Sequence, residues 1–342
     1  MLAGRRLRGE VEGSIHERLR LIAVDDPDGT GDFASAVRDG LTGDPKTLPC
    51  RLFYDEEGSR IFEEICELPE YYLTRAEHEI LSEHADDIAS RFQHRTALME
   101  LGSGSAIKTR ILIEAFLRRH GALRYAPVDI SRSVLEESAR SLLADYPGLE
   151  ILAVAGEYRQ GLRSIGTHGN TPKLILWLGS SIGNFTHEEA TRFLTAVAAE
   201  LTPDDRMLVG ADMRKDPATL VRAYDDSAGV TARFNKNLLV RVNRELGGTF
   251  DLDAFSHQAC WNAGAGRIEM HLVSTRAQTV RMAGLDLDVA FAEGETIHTE
   301  NSYKYSHAEI GAIAHGAGLD IEARWLDAQT RFAVYLLARA DS

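Results

Sequence analysis

The 342-residue sequence contains few of the residues that would indicate a disulfide-bonded or metal-binding protein. It has three cysteines, Cys50, Cys66 and Cys260, which are odd in number, far apart in the chain and in no CxxC pair. Reduced, mostly buried thiols are therefore expected rather than a disulfide framework or a zinc knuckle. The twelve histidines form no HExxH motif and no pair with metal-ligand spacing, so we predict no metal site.

Positive charge and long apolar runs are also scarce. Lys and Arg total 38 against 52 Asp and Glu, which gives a net charge of −14 and argues against a nucleic-acid-binding surface. No apolar run is long enough for a membrane span, and the basic stretch Met1 to Gly13 lacks the apolar core of an export signal. We therefore expect a cytoplasmic monomer that acts on a small molecule and binds neither nucleic acid nor membrane.

A common phosphate-binding motif, the Walker loop, is absent from the sequence. What remains is an ordinary globular composition, with 44% hydrophobic and 26% charged residues. At this length the chain is expected to form two domains, or one enlarged domain, around a substantial core.

A glycine turn at residues 97–110, ALMELGSGSAIKTR, is the main functional signal, because it indicates a buried strand, a tight turn and the start of a helix. Gly102 and Gly104 allow a ligand to approach the backbone, and free N–H groups at a helix start favour negative charge or lone pairs. Ile107 stands where a dinucleotide-binding turn has its third glycine, which weakens the pyrophosphate interpretation. Glu100 before the turn instead favours S-adenosylmethionine (SAM), near its sulfonium and amino acid end.

Two further strand ends carry acidic residues. The segment 125–131, YAPVDIS, ends a second strand at Asp129, which either accepts the two ribose hydroxyls or caps the next helix. The third strand, 150–155, is followed by Glu157 and Tyr158. These two residues could bind the adenine amino group and cover the adenine ring, or Glu157 could be a solvated loop acid.

A fourth strand at 173–178 is apolar throughout, as is typical of a central parallel strand. The loop that follows contains Gly179, Gly183 and Asn184, at the edge where doubly wound sheets bind ligands. The Asn184 carboxamide either binds a ligand carboxylate, or it holds a turn or caps the helix that begins near Thr186.

The remaining elements complete an alternating α/β pattern. Thr74 with Glu77 predicts a capping box for a helix over 74–92, and Ser131 predicts a helix cap. Polar and apolar residues alternate at 267–275 and 278–282, which predicts antiparallel strands in an inserted lid. The last two strands, near 321–325 and 332–338, are expected to be antiparallel at the far edge of the sheet.

Tyrosines are concentrated near the N-terminus at Tyr54, Tyr71 and Tyr72. They either belong to an amphipathic helix pair that covers the sheet, or they present hydroxyl groups to a small polar ligand. The pattern alone favours neither alternative.

Long strings from about Val37 to the C-terminus add a family resemblance. They read LFYDEEGSRIFEEI, LPEYYLTRAE, ELGSGSAIKTR, GSSIGNF, LVRAYDDSAGVTARFNKNLL, VNRELGGTFDLDAF and RIEMHL. On these strings the chain resembles the L-histidine Nα-methyltransferases of ergothioneine biosynthesis. That family uses SAM to convert histidine, through mono- and dimethylhistidine, to the trimethylated betaine hercynine.

The resemblance implies an α/β fold, in which a Rossmann-like class I methyltransferase sheet carries an α+β substrate-binding domain made from the N-terminal segment and an insertion. Residues 76–213 and 304–342 are then expected to form the SAM-binding domain. Residues 16–75 and 214–303 are expected to form the substrate-binding lid, and 1–15 to be disordered.

For the cofactor, Gly102, Lys108 and Asp129 match family positions, and Glu157-Tyr158 replaces the usual Asp-Phe pair. Together with the rest of the turn, the predicted SAM-binding residues are Glu100, Gly102, Gly104, Lys108, Asp129, Glu157 and Tyr158. The expected product is S-adenosylhomocysteine, and no metal is expected to take part.

For the substrate, the resemblance implies that each end of L-histidine has its own contacts. Glu300 would accept an imidazole N–H, so that a ligand without this donor leaves a buried acid unpaired. Met270 would pack against the ring. The implied positions are Asn184 and Tyr224 for the carboxylate, Tyr71, Glu300 and Ser302 for the imidazole, and Tyr54 and Gly179, the predicted catalytic positions, for the α-amine.

Two other functions stay open at this point. The same fold and cofactor could serve another amino acid or imidazole-containing molecule, which Glu157-Tyr158 and Asn301 beside Glu300 would signal. Alternatively, the chain could bind SAM as a regulatory subunit without turnover.

Overall fold

The computed structural model describes residues 17–23, 33–158, 161–162 and 171–340, so the segment 1–15 predicted to be disordered lies outside it. The strands are β1 (Leu19–Ala23), β2 (Lys46–Thr47), β3 (Ala97–Leu101), β4 (Leu123–Asp129), β5 (Leu149–Ala155), β6 (Lys173–Trp177), β7 (Arg206–Asp212), β8 (Phe255–Asn262), β9 (Arg267–Ser274), β10 (Gln278–Met282), β11 (Leu287–Phe291), β12 (Thr296–Tyr303), β13 (Leu319–Leu326) and β14 (Phe332–Arg339). The α-helices are α1 (Phe33–Thr42), α2 (Glu56–Glu67), α3 (Leu73–Ser90), α4 (Thr109–His120), α5 (Arg132–Asp145), α6 (His187–Glu200), α7 (Pro217–Tyr224), α8 (Val230–Leu246) and α9 (His307–Gly316).

An eight-stranded sheet in the order β1-β5-β4-β3-β6-β7-β14-β13 forms the centre of the molecule. The pairs from β1 to β7 are parallel, whereas β14 runs antiparallel to both β7 and β13. The chain proceeds from β3 outward to β5 and then crosses to β6 on the other side of β3. Ligands bind at such a reversal of strand order. The predicted Rossmann-like α/β class and the antiparallel final hairpin are confirmed.

Helices cover both faces of the sheet, which explains why its central strands are apolar throughout. Leu98 of β3 belongs to the same hydrophobic cluster as Ile80 of α3 and Leu112 of α4. The next residue, Met99, belongs to a second cluster with Phe193 of α6. Successive side chains of a strand point to opposite faces, so the two clusters are the two sides of one sheet.

The N-terminal strand β1 joins this sheet, pairing in parallel with β5 from Leu19 opposite Ile151 to Ala23 opposite Ala155. The expected substrate-binding segment 16–75 therefore begins with a strand of the large sheet. The division of the chain into two domains stays a prediction.

The insertion after β7 forms a four-stranded sheet, β2-β12-β9-β8, and a separate hairpin of β10 and β11. The two strands predicted at 267–275 and 278–282 are present and antiparallel to their partners, but they lie in different sheets. None of the helices in the described residues has the length and hydrophobicity needed to cross a lipid bilayer.

Two predicted helix caps differ from the structure. Helix α3 begins at Leu73 and has no side-chain cap, so the capping box of Thr74 and Glu77 is wrong. Glu77 is instead fully buried, because it lies on the helix face that packs on the sheet. Ser131 occupies the N-cap position of α5, but its side chain makes no capping bond.

We predict that Thr186→Ala destabilises the protein by about 1 kcal/mol, because it removes a true capping box. The Thr186 hydroxyl accepts a hydrogen bond from the Glu189 N–H at the start of α6, and the Glu189 carboxylate accepts one from the Thr186 N–H. Chemical denaturation would measure the loss. Ser131→Ala is the matched control, since Ser131 is an N-cap residue without a capping bond, and an equal loss in both variants would contradict the prediction.

Candidate active site

The glycine turn between β3 and α4 lies at the carboxyl edge of the sheet. Gly102 and Gly104 have positive φ angles of 76° and 49°, which glycine adopts most readily. The Gly104 N–H donates to Asp129 Oδ2 at 2.9 Å, and Asp129 Oδ1 accepts from the Ser131 N–H at 2.9 Å. Asp129 therefore connects the glycine turn to the start of α5. Its contact with a ribose stays a prediction.

Glu100 is buried at the end of β3, and both of its carboxylate oxygens bind the protein. Oε1 accepts from the Thr109 hydroxyl at 2.6 Å, and Oε2 accepts from the Tyr125 hydroxyl. Burial raises the pKa of Glu100 to about 7, although these two hydrogen bonds oppose the shift. Both oxygens of Glu100 already accept a hydrogen bond from the protein. The predicted contact of Glu100 with SAM would therefore be an additional bond to one of them.

Glu157 and Tyr158 follow β5 at the same edge. The Tyr158 hydroxyl lies directly over Gly102, where a Cβ atom at residue 102 would stand only 2.8 Å from it. Glu157 is exposed, and its Oε1 is 3.7 Å from Arg51 Nε. The two residues are thus beside the glycine turn, and their contacts with adenine stay predictions.

Glu77 is a site residue that the sequence interpretation missed. Its carboxylate pairs with Lys108 before α4 and accepts the Gly179 N–H at 2.8 and 3.0 Å. Burial lowers the pKa of Lys108, but Glu77 more than offsets this, so the pKa lies above its usual value. One buried acid therefore connects the glycine turn to the loop after β6. The sequence did contain an indication that Glu77 is buried, because its spacing places it on the same helix face as the apolar residues Leu73 and Ile80.

Gly179 and Asn184 lie in that loop, which packs against β12. Gly179 has a φ angle of 72°, and a Cβ atom at Gly183 would be 3.5 Å from Ser302 Oγ. Thr186 is the N-cap of α6, so the alternative in which Asn184 caps this helix is wrong. The Asn184 side chain is half-buried and makes no hydrogen bond to the residues that the structure describes.

The predicted substrate residues on α7 and β12 converge. The Tyr224 hydroxyl is 2.7 Å from Ser302 Oγ, and the rings of Tyr71 and Tyr224 pack edge to face with centroids 6.0 Å apart. Tyr54 packs against Phe62. Burial raises the pKa of Tyr54 and Tyr71 well above the usual value, and the Glu300 carboxylate adds to both shifts.

A β-bulge in β12 directs Glu300 into this cluster. His298 pairs with His271 of β9, but the next pair joins Glu300 to Met270, which leaves Thr299 as an extra residue. The Thr299 hydroxyl donates to the Met270 carbonyl oxygen at 3.1 Å. Because of the extra residue, Glu300 shares the inner face of the sheet with Met270 rather than the outer face with His298.

Glu300 is half-buried, and it differs from the buried acids Glu77 and Glu100 in its bonding. Within the described part of the chain its carboxylate makes no hydrogen bond, whereas Glu77 and Glu100 are both satisfied. Burial raises the pKa of Glu300 to about 7, and the positive charge of Lys304 opposes that rise. Such a carboxylate is available to accept a hydrogen bond from a ligand.

Beneath the tyrosines lies a buried ionic group that the sequence interpretation also missed. Asp212, at the end of β7, accepts from the Tyr72 hydroxyl at 2.7 Å and pairs with Lys215 at 2.5 Å and Lys304 at 3.0 Å. Tyr72 is thereby committed to Asp212, so the alternative in which its hydroxyl meets a ligand loses support.

Strand pairing brings Cys260 close to two possible metal ligands that are distant from it in the sequence. It lies opposite Glu269 and near His271, with the possible ligand atoms within 4.8 Å of one another. Glu269 is already paired with Arg267 at 2.6 Å, which reduces its availability to a cation.

Comparison with known proteins supports the predicted resemblance. Residues 33–339 match the sequence profile of a family described as "Histidine-specific methyltransferase, SAM-dependent". The chain is also 45% identical over 303 residues to a protein named Histidine N-alpha-methyltransferase from Mycobacterium tuberculosis, covering 89% of this chain and 94% of the relative. The chain belongs to the histidine-specific, SAM-dependent methyltransferase family.

Other relatives of this histidine-specific methyltransferase agree with the assignment. A protein of the same name from Mycolicibacterium smegmatis is 45% identical over 303 residues and is covered to 94%. Ergothioneine biosynthesis protein 1 from Neurospora crassa is 33% identical over 301 residues, which cover 86% of this chain and 33% of that protein. The predicted family is confirmed, whereas the roles of individual site residues stay predictions.

We predict that Glu77→Gln lowers the free energy of unfolding by roughly 3 kcal/mol, because it leaves the Lys108 ammonium without its buried partner. The amide can still accept the Gly179 N–H, so the loss reports mainly on the ion pair. Denaturant titration would measure it. Glu83→Gln is the control, since Glu83 lies on the same helix but is largely exposed. Equal stability of the two variants would show that the pair contributes little.

Proposed function

We propose that this histidine methyltransferase transfers three methyl groups, one after another, from SAM to the α-amine of L-histidine and so forms hercynine for ergothioneine biosynthesis. Family membership supports SAM as the donor and histidine as the acceptor. The single observation that carries the proposal is the Glu300 carboxylate, which is half-buried on the inner face of its sheet without a hydrogen bond from any described residue. An imidazole N–H would satisfy it.

The residues at the glycine turn fit a bound SAM molecule. The positive φ angles of Gly102 and Gly104 turn the backbone sharply, and Asp129 holds this turn against the end of β4. Lys108 would face the amino acid part of SAM from its position beside Gly179. The bound cofactor supplies a methyl group on a positively charged sulfur, which is the electrophile of the reaction.

The substrate residues fit the two ends of histidine. The side chains of Glu300 and Ser302 lie on the same face of β12, so they can contact the same imidazole ring. Met270, which is opposite Glu300, would pack beside that ring. Tyr224 is within hydrogen-bonding distance of Ser302 and would, with Asn184, hold the carboxylate. The ring and the carboxylate together orient the α-amine toward the Gly179 loop, where a residue without a side chain leaves room for added methyl groups.

Each methyl transfer from SAM to an amine releases one proton overall, so the site needs a route for three protons. Tyr54 and Tyr71 are neutral phenols at physiological pH, because burial raises the pKa of both. Neutral phenols donate and accept hydrogen bonds but do not remove a proton from an ammonium group. We therefore propose that the protons leave to solvent and that Tyr54 orients the amine. Acceleration then comes mainly from placing the amine in line with the sulfonium methyl.

The direct test is mass spectrometry of L-histidine incubated with the protein and SAM. We expect a product heavier by three methyl groups, together with S-adenosylhomocysteine. SAM with a deuterated methyl group provides the control, because all three added groups must carry the label. A protein that binds both ligands without product would be a regulatory subunit, and methylation of a different imidazole compound in preference to histidine would change the substrate.

We also predict how Glu300→Gln compares with wild type across pH. The kcat/KM of wild type for histidine, divided by that of the variant, should fall as pH drops below about 7. The raised pKa of Glu300 means that its carboxylate becomes protonated there and loses the negative charge that strengthens its hydrogen bond with the imidazole N–H. Ionisation of the substrate is common to both proteins and cancels in the ratio. Above that pH the variant should lose roughly 10- to 100-fold in kcat/KM.

An unchanged ratio across pH 5 to 9 would mean that Glu300 does not contact the ring. The affinity for SAM provides the internal control for this comparison. It should change little in Glu300→Gln, and a similar loss for both ligands would place the acid elsewhere in the site.

A further inference from the structure

Lys304 is a fully buried lysine directly after β12 that none of the predicted roles uses. Its ammonium group donates to the Tyr224 hydroxyl oxygen at 2.8 Å, to Ser302 Oγ at 2.8 Å and pairs with Asp212 Oδ2 at 3.0 Å. An ammonium group has three hydrogens and no acceptor. All three hydrogens of Lys304 are therefore committed, two of them to hydroxyl oxygens in the predicted substrate site.

This bonding fixes the direction of the hydrogen bonds in the site. Because Lys304 can only donate, the oxygens of Tyr224 and Ser302 must both accept from it. Their own hydrogens are then left for other partners. The 2.7 Å contact between the two hydroxyls uses one of these hydrogens, and the other is free to point into the pocket. If the mutual contact opens on binding, both hydroxyls donate to the ligand while Lys304 keeps their oxygens satisfied.

A ligand that meets these two hydroxyls must therefore offer acceptors. Histidine offers a carboxylate oxygen at one end and the unprotonated ring nitrogen at the other, while its ring N–H is the donor that Glu300 can accept. The arrangement matches neutral imidazole, with one donor and one acceptor on the ring.

Charge supports the same interpretation. Asp212 has two other partners, the Lys215 ammonium and the Tyr72 hydroxyl, so Lys304 is not required simply to satisfy that acid. Burial disfavours the charged form of Lys304, but Asp212 more than offsets it, and the pKa of Lys304 lies above its usual value. Lys304 is therefore positively charged, and only the Tyr224 hydroxyl separates its ammonium group from the predicted position of the substrate carboxylate.

We propose that Lys304 is a positioning residue that fixes Tyr224 and Ser302 as hydrogen-bond donors and provides the positive charge that selects a carboxylate-bearing substrate. This rests on the proposed function, since Tyr224 and Ser302 are assigned to histidine there. Lys304 does not touch the substrate. It acts through the two hydroxyl groups.

The test compares the affinities for L-histidine and L-histidinamide, which has the same shape without the negative charge. Dissociation constants are measured by calorimetry with S-adenosylhomocysteine present, so no turnover of the amide is needed. In wild type the acid should bind more tightly than the amide. In Lys304→Met this preference should shrink by roughly 10- to 100-fold, because the charge behind Tyr224 is gone.

Lys215→Met is the matched control. It removes a second buried lysine from the same Asp212 carboxylate, but Lys215 Nζ bonds to Tyr72 and not to Tyr224 or Ser302. Its preference for the acid over the amide should stay within about twofold of wild type. If Lys304→Met does not fold, Lys304→Gln removes the charge but keeps N–H donors for the two hydroxyl oxygens, and it should lose the preference in the same way.

Equal weakening of both ligands in Lys304→Met, with the preference intact, would overturn the proposal and leave the lysine a purely structural role. Failure of the proposed function would look different, because the wild-type protein would then produce no methylated histidine. The two failures are therefore distinguishable with the same protein preparations.

Discussion

A buried charge must find a partner, and in this protein that constraint determines where the ligand-binding groups stand. Glu77 holds Lys108 and the Gly179 N–H, which fixes the glycine turn relative to the loop after β6. Asp212 holds Lys304, which in turn binds Tyr224 and Ser302. Among the carboxylates described in the site, Glu300 alone makes neither an ion pair nor a hydrogen bond, since Glu100 and Asp129 both accept hydrogen bonds. The two ion-paired groups thus brace the site, and Glu300 is left available for the proposed contact with a substrate N–H.

The large sheet was predictable from the sequence because its signals are local. The apolar strands at 97–101 and 173–177, the glycines after them and the acids at strand ends all occur within short stretches whose spacing indicates a doubly wound fold. The long motifs extended this to the family. The same locality explains why Asp129 and Gly102 were expected to lie at one edge: carboxyl ends of parallel strands meet there.

The missed features depend on residues far apart in the chain. Glu77 resembled a capping residue because Thr74 stands three positions before it, and only packing of α3 against the sheet shows that its partner is Lys108. Lys304 resembles an ordinary surface lysine next to a strand, since no local pattern indicates that Asp212 and Tyr224 surround it. Both cases are tertiary contacts that override the local preference.

The bulge at Thr299 has a consequence for how this family can diverge. Side chains alternate along a strand, so a single additional residue decides which of the following positions enter the pocket. If β12 paired regularly instead, with Thr299 opposite Met270, then Asn301 and Tyr303 would lie on the inner face, and Glu300 and Ser302 would lie on the outer face. Amino-acid replacements at positions 300–303 therefore keep the facing of the strand, whereas an insertion or deletion between Glu300 and Ser302 would reverse the facing of one of these two residues relative to the other.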